Sequence, residues 1–167
     1  MTDPVLLKWC LAGAYCALLL TAAVTDILRR RIPNWIVVAL IVLYLLAHVL
    51  GVAPTTWVSG LAAAAIVLAV TYGLFHFGVF GAGDAKLFSA VALFMGLANL
   101  TSFALVTVAI GGLMAVGVLI LHPKRAMRGL TAAGRAEGGG RGIPYGVAIA
   151  LGGIVTGALS VHLATMG

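Results

Sequence analysis

Six long apolar runs, with the polar positions gathered between them, organise the chain. The runs cover residues 5–25, 35–51, 55–77, 85–99, 101–121 and 144–164. About 20 apolar residues rising 1.5 Å each are enough to cross the hydrocarbon layer of a bilayer. The pattern therefore predicts an all-α, polytopic membrane protein of six transmembrane helices in a single domain. Gly51–Pro54 separates the second run from the third, and Asn99–Ser102 is expected to form a tight turn between the fourth and fifth. The breaks at 26–34, 78–84 and 122–143 are expected as loops on the opposite side. The fourth run is short, about 24 Å as a helix, which would set Asp84 at its start inside the membrane boundary.

Composition agrees with this division. Only 8% of residues are charged, against 63% hydrophobic, whereas soluble domains carry about a quarter charged residues. Lipid must be the solvent for most of this surface. The 22 glycines suit membrane helices that pack closely, and Gly153 with Gly157 forms a GxxxG pair of that kind. A formal charge of +6 would suit nucleic acid if it were spread over a face. Instead the basic residues are clustered: Arg29, Arg30 and Arg31 after the first run, Lys86 at the start of the fourth, and Lys124, Arg125, Arg128, Arg135 and Arg141 after the fifth. With six crossings all of these fall on one side, which the positive-inside rule makes the cytoplasm. Both termini then face the non-cytoplasmic side, where Lys8 can snorkel. No nucleic-acid role is expected. The first run lacks a basic leader and ends in three arginines, so it is expected to stay as an anchor and not to be cleaved as a signal peptide.

Four acidic residues are present: Asp3, Asp26, Asp84 and Glu137. Asp26 and Asp84 sit at the cytoplasmic ends of the first and fourth runs, and the topology brings them to one depth. A carboxylate at an apolar boundary costs a few kcal/mol unless it faces protein or water. Two carboxylates that face each other share a proton, and such a pair can activate water on one side and protonate a carbonyl on the other. Plainer roles stand beside this one. Asp26 can pair with Arg29 or Arg30 one turn on, and Asp84 can cap the fourth helix.

The surrounding residues carry more. Gly81-Ala82-Gly83-Asp84-Ala85-Lys86 reads GxGDxK, and Asp26 is followed by Arg29-Arg30-Arg31-Ile32-Pro33-Asn34. With Ile143-Pro144-Tyr145-Gly146 before the last run, the chain resembles the type IV prepilin peptidase family along essentially its whole length. That resemblance implies a membrane aspartic endopeptidase with Asp26 and Asp84 as its catalytic pair. Its substrates would be prepilins and pseudopilins, cut after a glycine at the cytoplasmic face of the plasma (inner) membrane. The large cysteine-bearing insertion of the methylating members is missing, so the resemblance is to the short, peptidase-only branch of tight-adherence (Flp) pili, without methyltransferase activity.

The supporting motif residues have physical roles of their own. Gly81 and Gly83 are expected to permit positive φ and to bring the backbone close to a bound peptide strand. Pro33 and Pro144 open helices, Asn34 is a candidate cap, and Lys86 either tunes Asp84 or anchors the interface. Tyr145 and Gly146 belong to the entry of the last helix.

Other chemistry finds little support. Cys10 and Cys16 share the first run with no metal partner, and His48, His76, His122 and His162 are scattered. No metal or other cofactor is expected. Gly138–Gly142 lacks the ending of a phosphate loop, and residues 122–142 are expected to lie on anionic lipid. A proton-coupled transporter or a non-catalytic pilus assembly factor are the rival functions.

Overall fold

The computed structural model describes residues 3–78, 80–121 and 144–166, with side chains up to Leu159. The loop expected at 122–143, with its lysine, arginines and Glu137, lies outside the described residues, as do the side chain of His162 and that of His122. Among the described residues the structure is all helix: α1 (Pro4–Arg29), α2 (Asn34–Val49), α3 (Trp57–His76), α4 (Ala82–Leu121) and α5 (Tyr145–Met166).

The helices begin and end where the local chemistry permits. The main chain turns out of α1 at Arg30, which takes a left-handed φ of 52° and donates its N–H to Asp26 O. Pro33 occupies the capping position of α2 in extended conformation, and its carbonyl accepts from Ile36 N at 3.1 Å. Asn34 is already the first helical residue and makes no capping hydrogen bond, so the expected asparagine cap is replaced by the proline turn. Pro144 repeats the arrangement before α5, accepting from Val147 N at 3.2 Å. In α3, by contrast, Thr56 caps through its side chain, accepting from Ser59 N.

Helix α4 is not one straight rod. Phe88 and Phe103 have ring centroids 4.8 Å apart, whereas fifteen residues of straight helix would separate them by about 22 Å. The chain doubles back at Gly96, whose φ of 60° and ψ of −176° are non-helical and open essentially to glycine alone. The turn expected at Asn99–Ser102 is thus a few residues earlier, and 99–102 are helical. The displacement has a cause in packing. Thr55 Oγ1 donates to Leu93 O at 3.1 Å, and Ser59 Oγ accepts from Leu97 N at 2.9 Å. The turn before α3 and the first turn of α3 therefore satisfy backbone groups that the break would strand in an apolar environment, where each costs several kcal/mol.

The two limbs of α4 form the centre of the bundle, packing against α3, α5 and α2, while α1 rests on α2 and α5. Leu19, Ile36, Leu40, Leu87, Val91, Phe103 and Ile149 are fully enclosed. Gly153 lets α5 approach α1 and α4: a methyl group there would lie 2.8 Å from Val91 Cγ1 and 2.9 Å from the Tyr15 hydroxyl. The outer faces carry exposed Leu28, Val49, Val58, Phe77, Leu113, Ile120 and Leu121 among many others. An apolar surface this continuous belongs in lipid. Three helices, α1, α3 and α4, are long and apolar enough to cross a membrane, and α2 and α5 include shorter apolar stretches.

Candidate active site

Asp26 and Asp84 come together at the end of the bundle opposite Gly96. Asp26 lies in the last turn of α1 and is 6% exposed, because the helix runs on to Arg29 and turns this face inward toward α5. Its Oδ2 accepts a hydrogen bond from Gly146 N at 2.8 Å. The Val147 amide is nearby, and the charge of Arg30 reaches the carboxylate. The first amides of α5 have no partners within their own helix, so the carboxylate of α1 satisfies one of them directly.

Asp84 stands in the first turn of α4, two residues after its start. It is a helix residue and not the cap. It is half-buried and feels the charge of Asp26. Gly81, just before the helix, faces its carboxyl: a methyl group at that position would be 2.8 Å from Asp84 Oδ2. Neither Gly81 nor Gly83 takes positive φ, which among the described glycines is found at Gly51, Gly78 and Gly96. The expected positive φ is therefore absent from both. At Gly81 the constraint is room for the Asp84 carboxyl, whereas at Gly83 an added methyl group would make only an ordinary contact with Ile32 Cβ at 3.6 Å.

Ile32 joins the two halves of the site. Its Cδ1 and Asp26 Oδ2 lie 3.0 Å and 2.8 Å from the point a β-carbon on Gly146 would occupy, while its Cβ faces Gly83. Each aspartate thus has a neighbour in contact with the same isoleucine. Tyr145 closes another side. Its ring packs on Phe80 with centroids 5.3 Å apart, lies against Gly111 on the second limb of α4, and senses the charge of Asp84. Phe80 in turn stacks on Phe88 at 6.4 Å, which carries the wall down to Phe103. Among the described residues no group of three His, Cys, Asp or Glu is placed to hold a metal ion.

The expected site residues therefore divide. Asp26, Asp84, Gly81, Gly83, Tyr145 and Gly146 share one locality. Pro33 and Pro144 frame it as helix openers, and Asn34 is exposed at the start of α2. Lys86 is also exposed, on a different face of α4 from the buried Ala85 and Leu87 that flank it. Ile32, Phe80 and Gly111 were not among the expected residues. Only Ile32 had a signal, its position before Pro33; the other two are brought in by tertiary packing.

The model of the type IV leader peptidase family matches residues 13–116, a stretch that includes both Asp26 and Asp84 and ends before α5. No curated protein and no solved structure matches the chain.

Proposed function

The chain belongs to the type IV leader peptidase family and is accordingly a membrane peptidase, and from that premise we propose that it is an aspartic endopeptidase in which Asp26 and Asp84 activate water to remove the short basic leader of Flp-like prepilins. The observation that carries this reading is the convergence of the two aspartates, from helices far apart in sequence, around Ile32 and the start of α5.

Two carboxyls within electrostatic reach of each other do not both ionise readily, so one proton is shared between them. The ionised member takes a proton from water as its oxygen attacks the scissile carbonyl. The protonated member gives its proton to the carbonyl oxygen, and a tetrahedral diol forms. Collapse of that intermediate breaks the C–N bond and returns a proton to the leaving amine. In this proposal six helical segments cross the plasma membrane, counting the two limbs of α4 separately. The arginines after α1 set the aspartate end toward the cytoplasm, where a basic leader lies before its hydrophobic helix.

Cleavage of a co-expressed Flp-type prepilin, followed by gel shift, tests the reading. Asp26→Asn and Asp84→Asn, each present in the membrane in normal amounts, are expected to leave the precursor intact. Processing by either variant would remove the aspartate mechanism and favour a transport or assembly role.

A further inference from the structure

We propose that the main-chain N–H of Gly146 is a positioning group that fixes Asp26 as the member of the pair that takes the proton from water, leaving Asp84 to protonate the carbonyl oxygen. The inference rests on the catalytic reading above and assigns the two carboxylates different duties within it.

Three observations carry it. First, the hydrogen bond from Gly146 N to Asp26 Oδ2 is short, at 2.8 Å, and buried, and it joins residues 120 apart in sequence. A hydrogen bond donated to a carboxylate favours its charged form, and such bonds are about twice as strong as those between neutral groups. Second, the donor belongs to the first turn of a 22-residue helix, where unpaired amides and the helix dipole together favour negative charge. Arg30 adds a positive charge on the other flank. Asp84 instead has the charge of Asp26 and the Tyr145 ring beside it. Third, there is no room for a side chain at 146. An added methyl group would lie 2.8 Å from Asp26 Oδ2, 3.1 Å from its Cγ and 3.0 Å from Ile32 Cδ1. Glycine is needed because the carboxylate sits directly on the backbone. With Oδ2 held by the amide, Oδ1 remains to receive the proton of the attacking water.

The test compares Gly146→Ala, Gly146→Ala with Ile32→Ala, and Gly157→Ala in detergent-solubilised enzyme acting on a purified prepilin. Gly157 is on the same helix, and an added methyl group there would meet only Met95 Cε at 3.8 Å. Displacing Asp26 by a fraction of an ångström to an ångström is expected to lower kcat about 100-fold with KM nearly unchanged, while Gly157→Ala keeps wild-type values. The double variant gives the methyl group space beside residue 32 but not beside Asp26. It is expected to regain thermal stability and to stay slow. Recovery of kcat in the double variant, or near-normal kcat in folded Gly146→Ala, overturns the proposal. Should Gly146→Ala fail to fold, the amide resonance of Gly146 in 15N-glycine-labelled wild type and Asp26→Asn decides the matter. A shift between the two is expected, and an unmoved resonance overturns the proposal. Cleavage by Asp26→Asn itself would count against the catalytic reading instead, which keeps the two failures apart.

Discussion

At the Gly96 end of the bundle, two backbone groups exposed by a broken helix each meet a side-chain partner. Thr55 takes Leu93 O, Ser59 takes Leu97 N, and the rings of Tyr44, His48 and Trp57 pack over them, with His48 and Trp57 centroids 3.9 Å apart. At the Asp26 end, an amide from α5 meets a carboxylate, a second carboxylate stands nearby, and small residues leave space around both. Both ends depend on a glycine that tolerates no β-carbon, but for different reasons. Gly96 has a backbone that other residues rarely adopt, while Gly146 has a carboxylate where a side chain would be. One end spends its polar groups on holding the fold, and the other keeps polar groups in an environment that a fold alone would not choose.

The largest effect expected from this contrast is the separation of activity from stability. Asp26→Asn and Asp84→Asn should each lower prepilin cleavage by about 1,000-fold or more while the detergent unfolding midpoint stays close to wild type. Loss of folded protein in either variant would erase the distinction between the ends. Gly96→Ala should do the reverse. Its φ of 60° and the contacts of 2.7 Å and 2.8 Å that a methyl group would make with Ser59 Oγ and Thr55 Cγ2 are expected to cost about 3 kcal/mol. Yield and melting temperature should fall, yet the remaining folded molecules should cleave at the normal rate. A milder probe is Ser59→Ala, which strands the Leu97 amide. A loss of about 1–2 kcal/mol is expected from chemical denaturation, again with kcat unaltered. The smallest effect belongs to Lys86→Gln. That side chain is exposed, so stability should change by no more than about 0.5 kcal/mol, and a steady-state assay should show no change in kcat.

Much of this was legible in the sequence, and the misses have a common physical form. The all-helical character followed from apolar run lengths, and the two aspartates stood out because charge is so scarce between them. The turn in α4 was misplaced because Asn99–Ser102 has the local polarity of a turn, whereas Gly96 is flanked by apolar residues and is chosen by partners 38 positions upstream. The positive φ expected at Gly81 and Gly83 is not found, since a sequence does not say whether a glycine is present for its torsion angles or for its lack of a side chain. The bond between Gly146 and Asp26 joins residues 120 positions apart in a chain of 167. The Ile-Pro-Tyr-Gly motif marked the place without revealing the partner. Ile32, Phe80 and Gly111 are ordinary apolar or small residues, and only tertiary packing distinguishes them from their neighbours.

The cap over the Gly96 break also bears on how the protein is made. Thr55 and Ser59 leave the ribosome before residues 93–97, so the side chains that bond Leu93 O and Leu97 N are already synthesised when the break is made. Order of synthesis thus makes both side chains available before the backbone groups they bond. A rearranged chain that placed α2 and α3 after α4 would make the break first and its two partners last.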